Sequence, residues 1–364
     1  MNIIEYTLKR NKTFSEEPFG DMDALVLSQL AYVKYEAAGD VIGRQCPLRD
    51  LYLSEYFDGY FSDGMTDNEN REMLAAAAAS RRYRNAVISD LVTTTDDTTG
   101  EQFAAMTWRL ADDLDYISFR GTDGSIVGWK EDFQMAFRER VPAQKSAVEY
   151  INEYGRRYPE RKGRLIVGGH SKGGNLAVYG AVYCSDEIQQ RITDVYSLDG
   201  PGFISRVSSR IDEIVEKREL NVMRILPQGS FVGMLLESGS DYRVIRSSTM
   251  GIMQHSMYTW QIEEDKLVFA DKLSAGSQYI DRTMSEWFNV ATEEQREAFV
   301  TTFFGILENA EIETLADFQK LKFKDIIGMI GEFKSCDEET SRMLEGMMKS
   351  LIKSAARQVV GPSR

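Results

Sequence analysis

Histidine and cysteine are both scarce in this chain, which holds two histidines and three cysteines among 364 residues. The cysteines, Cys46, Cys184 and Cys336, lie far apart, make an odd number and form no CxxC pair. That spacing argues against a disulfide framework and against a cysteine zinc site, so we expect a reducing, cytoplasmic setting. With two histidines, any mechanism that depends on an imidazole has very few candidates.

Long apolar runs and basic runs are missing as well. No segment reaches the roughly 18 uninterrupted apolar residues that a membrane span requires, which excludes an integral membrane protein. The basic residues Lys9, Arg10 and Lys12 have no apolar stretch behind them, so no secretory signal is expected. The formal net charge of −14 disfavours binding to nucleic acids and to anionic membrane surfaces. A charge of this sign is also compatible with no role beyond keeping the protein soluble.

The order of apolar segments predicts the fold class. Helical spacing at 20–36 and 68–84 precedes a hairpin-like pair of runs at 86–92 and 103–108, and then strands and helices alternate. The expected strands are 116–119, 165–167, 194–198, 221–226 and 242–245, with helices near 128–138, 143–158 and 172–184. This rhythm predicts an α/β fold with a mostly parallel central sheet flanked by helices.

Strand signals end near residue 277, and helical periodicity follows. We therefore expect two units, an α/β domain over 1–272 and a helical C-terminal extension over 273–364. The apolar faces of the extension either pack against the domain or form a lid or acyl-binding wall, for which its methionines would be suited.

The most informative motif is Gly169-His170-Ser171-Lys172-Gly173, which follows the apolar run 165–167 and opens the helical stretch 175–179. A strand, a glycine-flanked serine and a helix in that order are typical of the nucleophile elbow of an α/β-hydrolase. The serine sits on a strained turn, where side chains two positions to either side would collide. The alternative is a purely structural role for the motif, as a tight turn with an unreactive serine.

A serine hydroxyl needs a base within hydrogen-bond reach to act as a nucleophile at neutral pH. His170 lies inside the motif, with its side chain directed away from that of Ser171, and we expect it to pack beneath the elbow. Elimination leaves His255, downstream of the last expected core strand, which fits the chain order serine, acid, histidine of these hydrolases. A structural histidine in a loop is the alternative.

The acid is harder to assign, because the chain has 57 acidic residues. Asp199, in Ser197-Leu198-Asp199-Gly200, stands at the carboxyl end of the strand after the elbow helix, where a carboxylate can approach a histidine. Asp241 precedes a strand and Asp194 falls at the wrong end of one, so both are weaker candidates. Asp199 could also be only an Asp-Gly turn former.

Two backbone amides are candidates for binding the oxyanion. The segment 119–124 follows a strand, and Thr122 could donate its N–H, while Lys172 follows the nucleophile directly. The Lys172 side chain is expected to be solvated. Arg120 is expected to form a structural ion pair.

These motifs resemble the class 3 (fungal-type) lipases: Phe119-Arg120-Gly121-Thr122, then Trp129, then 169–177. The resemblance spans about residues 85 to 265. With 197–203, 227–235 and Gln254-His255 added, the chain is more narrowly similar to uncharacterised bacterial lipase-like proteins. It implies an α/β-hydrolase fold and an acyl ester substrate.

One departure separates the chain from that family. Class 3 lipases carry the triad aspartate in a loop after the next strand, where this sequence has Gly229-Ser230. Pancreatic-type lipases place theirs after the earlier strand, in a Leu-Asp-Pro setting that resembles Leu198-Asp199-Gly200-Pro201. The second resemblance favours Asp199.

The sequence therefore predicts a serine esterase or lipase with the triad Ser171, His255 and Asp199, and with Thr122 and Lys172 in the oxyanion hole. No metal or organic cofactor is implied, and the expected partner is a small-molecule or lipid acyl ester. Two alternatives stay open: a silent hydrolase-fold scaffold, since fold does not guarantee activity, and an acyltransferase or thioesterase with the same serine. The sequence does not determine the oligomeric state.

Overall fold

The fold is that of a computed structural model. It describes residues 1–44, 46–62, 66–96, 98–99, 101–122, 135, 140–236, 241–274 and 291–309.

Its helices are α1 Ile3–Lys9, α2 Asp21–Leu30, α3 Phe57–Tyr60, α4 Asp67–Ala79, α5 Pro142–Arg157, α6 Lys172–Tyr183, α7 Asp186–Gln189, α8 Ser205–Arg218 and α9 Glu293–Asn309. Its strands are β1 Val87–Asp96, β2 Glu101–Ala111, β3 Leu114–Phe119, β4 Arg164–His170, β5 Ile192–Leu198, β6 Asn221–Pro227, β7 Arg243–Ile245, β8 Ile262–Glu263, β9 Lys266–Leu267 and β10 Phe269–Ala270.

Within the described residues the main sheet has eight strands in the order β1-β2-β3-β4-β5-β6-β7-β10. Strands β3 to β7 run parallel, whereas β1, β2 and β10 pair antiparallel with their neighbours. The predicted α/β class with a mostly parallel core and flanking helices is therefore confirmed, and so is the hairpin of β1 and β2.

The sheet is covered on both faces. Because side chains alternate along a strand, Ile166 of β4 enters the core beneath α1, α2 and α4, while Leu165 and Val167 enter the core formed with α5, α6 and α8. Both cores consist largely of fully buried aliphatic and aromatic residues. This two-sided burial fixes the strand ends relative to one another.

Parallel pairing brings the carboxyl ends of β3, β4, β5 and β6 to one edge of the sheet. In such sheets the crevice outside those ends is where ligands bind. The residues that follow these strands, Gly121, Ser171, Asp199 and Ser230, therefore lie at the same edge.

Several local predictions need correction or lie outside the description. The helix expected over 20–36 ends at Leu30, and it is buried on nearly every side instead of being amphipathic, because the sheet and α4 both pack on it. Helices α1 and α8 were not predicted. Of the helix expected near 128–138, only Met135 is described, and the extension is described only from 291 to 309.

Candidate active site

Ser171 connects β4 to α6 in a strained backbone conformation, with φ 58° and ψ −131°. Such values cost a non-glycine residue on the order of 1–3 kcal/mol, and they occur mainly at functional sites. The turn is therefore the sharp strand-to-helix elbow that the motif predicts.

The flanking glycines are required by packing. A Cβ on Gly169 would lie 2.5 Å from the carbonyl oxygen of Phe119, and a Cβ on Gly173 would overlap that same oxygen. Both distances are shorter than real Cβ contacts allow. The expected collision at these two positions thus comes from the neighbouring strand β3, as well as from the elbow itself.

Asp199 follows β5 directly, has a left-handed φ of 46° and is 0% exposed. Its Oδ1 accepts hydrogen bonds from the Ser230 hydroxyl at 2.6 Å and from the Gly233 N–H at 3.2 Å. Its Oδ2 lies 2.7 Å from Nδ1 of His255. A fully buried carboxylate needs such donors, since an unpaired one would be very costly.

His255 ends a short 3₁₀ turn, Gly251–His255, which is anchored through its neighbour Gln254. The side-chain oxygen of Gln254 accepts a hydrogen bond from the Gly229 N–H at 2.7 Å. The backbone carbonyl of Gln254 accepts one from the Trp260 indole N–H at 2.9 Å. The His255 side chain is 13% exposed. In the neutral ring, donation from Nδ1 to Asp199 makes Nε2 the basic nitrogen.

Ser171 and this histidine–aspartate pair share one neighbourhood. The Ser171 N–H donates to the carbonyl of Leu198, the residue before Asp199, at 2.9 Å. The rings of His170 and His255 have centroids 4.5 Å apart. The structure thus brings the predicted serine, acid and imidazole to the same edge of the sheet.

His170 does more than fill space beneath the elbow, where it is 6% exposed. Its Nε2 lies 2.8 Å from the carbonyl oxygen of His255, so this nitrogen must carry the proton. Its Nδ1, 2.8 Å from the Tyr32 hydroxyl, is then the acceptor. Burial, followed by the nearby His255, holds the pKa of His170 well below its usual range, which keeps the ring neutral.

The segment that contains Thr122, predicted to bind the oxyanion, lies next to the elbow. A Cβ on Gly121 would come 3.2 Å from the Cβ of Ser171, so the following residue, Thr122, borders the turn, where it is 6% exposed. Arg120 forms the expected ion pair, with Glu36 at 2.9 Å. The residues from 123 to 134, including Trp129, lie outside the described part of the chain.

The prediction that the Lys172 side chain is solvated is wrong. Lys172 is 1% exposed, and every residue of α6 from Lys172 to Val182 is buried. The physical reason is tertiary: α6 packs against α5, α8 and strands β3, β4 and β5, and the Lys172 side chain is covered in that packing. A local motif carries no information about such coverage.

The two weaker candidate acids lie elsewhere. Asp194 pairs with Arg164 at 3.0 Å and accepts from Asn221, near the starts of their strands and away from the elbow edge. Asp241 is exposed in the segment before β7.

Sequence reasoning missed the residues that support Asp199. Ser230 and Gly233 donate to it, and Asn175 on α6 fixes the loop that follows it by donating to the carbonyls of Pro201 and Gly202 at 3.1 and 2.8 Å. One signal was present, since Ser230 stands in the loop where class 3 lipases carry their acid. Among the described residues, no cluster of three or more acidic, histidine or cysteine side chains could hold a metal ion.

Comparison with known sequences identifies the family. A sequence model described as Mbeg1-like matches residues 77–305. The chain belongs to the Mbeg1-like family. The matched region of this Mbeg1-like chain contains Ser171, Asp199 and His255. A search of curated proteins found no match.

Solved structures similar to this Mbeg1-like chain include three fungal lipases, all at low identity. A fungal lipase–inhibitor complex, described as a model for interfacial activation in lipases, is 13% identical, with a TM-score of 0.41 over 76% of this chain and 96% of that one. The Rhizomucor miehei lipase propeptide complex is 17% identical, with a TM-score of 0.34 over 63% and 70%. Lipase II from Rhizopus niveus is 13% identical, with a TM-score of 0.34 over 80% and 94%.

Proposed function

We propose that this Mbeg1-like protein is a serine hydrolase that cleaves a carboxylic ester through Ser171, His255 and Asp199. The observation that carries the proposal is the 2.7 Å contact between Asp199 and Nδ1 of His255, formed beside a serine held on a strained elbow. A base oriented by a buried acid is what a serine hydroxyl requires for activation.

In the proposed mechanism the Ser171 hydroxyl attacks the ester carbonyl while Nε2 of His255 takes its proton. The backbone amides of Thr122 and Lys172 bind the developing oxyanion. His255 then gives the proton to the departing alcohol oxygen, and an acyl group remains on Ser171. Water, deprotonated by the same imidazole, attacks the acyl-enzyme; the bond from the acyl carbon to the Ser171 oxygen then breaks, His255 returns its proton to that oxygen, and the carboxylic acid leaves. Asp199 holds one tautomer of His255 and stabilises the positive charge on the ring throughout.

The proposal also covers organisation and setting. We assign the hydrolase unit to residues 1–272 and the helical extension to 273–364. In support, the amino group of Met1 donates to the carbonyl of Ile262 at 2.8 Å, which joins the two ends of the first unit. The proposed setting is the cytoplasm, with Cys46 and Cys184 as free thiols. No helix among the described residues is long and apolar enough to cross a membrane.

The test is hydrolysis of p-nitrophenyl butyrate by the purified full chain. Ser171→Ala and His255→Asn should each lower kcat by on the order of 10³-fold or more. The matched control is Ser209→Ala, because Ser209 is an exposed serine on α8 whose hydroxyl, among the described residues, bonds the carbonyl of Ser205 alone. The control should keep full activity, and circular dichroism should show all variants folded.

Two results would contradict the proposal. One is activity in Ser171→Ala within twofold of the wild type, which would place the chemistry elsewhere. The other is a folded wild-type protein with neither ester nor thioester turnover, which would favour a scaffold. Turnover that rises when an alcohol acceptor is added would instead indicate acyl transfer by the same serine.

A further inference from the structure

A pocket of about 380 Å³ opens beside the elbow, on the β1–β2 side of the sheet edge. It is bounded by Thr93, Thr94 and Thr95 at the end of β1, by the segment 32–36 after α2, and by Arg120 and Gly121 after β3. We call it the threonine pocket. Its volume suits a small ligand or one part of a larger one.

The threonine pocket shares two residues with the surroundings of Ser171. Gly121 lines it, and a Cβ on Gly121 would lie 3.2 Å from the Cβ of Ser171. Tyr32 also lines it, and the Tyr32 hydroxyl contacts the ring of His170, the residue before the serine. The threonine pocket therefore borders the elbow that carries Ser171.

The lining of the pocket is unsuited to an acyl chain. Hydroxyl, amide and charged side chains make up most of it, and placing hydrocarbon against them would remove their hydration without offering new hydrogen bonds. In a fatty acyl ester the acyl chain is hydrocarbon, so polar groups are carried by the alcohol part. The pocket is thus fitted to the alcohol side of the ester.

The charged side chains of the threonine pocket indicate which class of alcohol it would bind. Lys34 and Arg120 line the pocket with one carboxylate, Glu36, which is already paired with Arg120. These three side chains sum to one positive charge, in a protein whose formal net charge is −14. Lys34 donates to the carbonyl and the hydroxyl of Ser62, and an ammonium carries three donors. Lysine, arginine and threonine hydroxyls together are typical ligands of phosphate oxygens.

We propose that the threonine pocket binds a phosphorylated, hydroxyl-bearing alcohol, so that the substrate is an acyl ester of a polyol phosphate. This inference rests on the proposed function, because it names the substrate class of the same site. A soluble ester and a phospholipid headgroup present the same chemistry to Lys34 and the threonines.

The test compares three esters that share one butyryl group: butyryl glycerol phosphate, glycerol monobutyrate and ethyl butyrate. The wild type should show a kcat/KM at least tenfold higher for the phosphorylated ester than for the other two. Lys34→Gln should lower that preference about tenfold, and Thr94→Val, which removes a hydroxyl at nearly constant volume, should lower it several-fold. Lys145→Gln is the matched control, because Lys145 is an exposed lysine on α5 that pairs with Glu149 on the same helix.

A binding measurement separates failure of this inference from failure of the proposed function. Glycerol phosphate should bind the wild type and Ser171→Ala alike in calorimetry, and Lys34→Gln should weaken both. Such binding without turnover of any ester would sustain the pocket and overturn the hydrolase. Turnover of ethyl butyrate with no phosphate preference and no glycerol phosphate binding would overturn the pocket alone. Repeating the comparison with oleoyl esters in micelles distinguishes a lipid source from a soluble one.

Discussion

The Ser230 hydroxyl supports Asp199 by a hydrogen bond, and removing it tests that support without replacing any proposed catalytic residue. In Ser230→Ala the buried carboxylate loses its 2.6 Å hydrogen bond but keeps the Gly233 N–H at 3.2 Å and His255 at 2.7 Å. We expect kcat to fall with little change in KM, because the orientation of Asp199 matters most when positive charge develops on His255 in the transition state.

The magnitude follows from the charge of the acceptor. A hydrogen bond to a charged group contributes about 1.5–3 kcal/mol, and about 1.4 kcal/mol corresponds to a tenfold change in rate. If the whole loss is felt in the transition state, kcat falls by about 10- to 100-fold. The Gly233 N–H remains, which favours the lower end of that range.

The matched control is Ser28→Ala. Ser28 on α2 and Tyr116 on β3 are both buried, their hydroxyls lie 2.7 Å apart, and neither residue belongs to the proposed catalytic groups. This variant should also lose stability in urea unfolding, by about 0.5–1.5 kcal/mol for a bond between two neutral groups, while its kcat stays within about twofold of the wild type. The comparison separates a general loss of packing from a specific loss at Asp199.

A double-mutant cycle makes the test stringent. In an Asp199→Asn background the carboxylate that Ser230 supports is gone, so adding Ser230→Ala should lower kcat much less than it does alone. Esterase assays on the four proteins measure this directly. An equal effect in both backgrounds, or an effect no larger than that of Ser28→Ala, would refute the reasoning.

Three further outcomes are expected. Asp199→Asn alone should lower kcat by on the order of 10³–10⁴-fold in the ester assay, because an amide favours the wrong tautomer of the imidazole; a loss under tenfold would exclude Asp199 as the acid. The pKa of His170 is lowered by burial, so below about pH 6.5 the unfolded chain takes up a proton that the folded protein does not, and stability falls as the pH drops. His170→Gln should flatten that decline in urea unfolding between pH 7 and 5, and an unchanged slope would show that other groups cause it. Gly173→Ala should lose both folding stability and activity because of its overlap with a β3 carbonyl. Gly20→Ala, whose added Cβ meets nothing within 4 Å, should lose only the roughly 1 kcal/mol by which alanine is a poorer helix N-cap residue in thermal unfolding; similar losses in the two would contradict the packing argument.

Local sequence patterns predicted the parts of the site that local structure creates. The elbow at Ser171 depends on a strand, two glycines and a helix that are contiguous in sequence, and the position of Asp199 depends on the end of one strand. Both could be inferred because strand ends and glycine turns are encoded within a few residues.

Long-range contacts explain what the sequence did not reveal. Ser230 lies 31 residues from Asp199, and the His170 ring bonds a carbonyl 85 residues away. Burial of Lys172 likewise depends on elements packed around α6. Such pairings arise from tertiary packing, and propensity or motif spacing carries almost no signal for them.

The most direct test of the account is to map the residue that a fluorophosphonate modifies. Full-length protein is treated with the probe and digested, and the adduct is located by tandem mass spectrometry. The account predicts a single adduct on Ser171, with labelling slowed strongly in His255→Asn. An adduct on another residue, or a protein that hydrolyses esters while Ser171 stays unmodified, would contradict it.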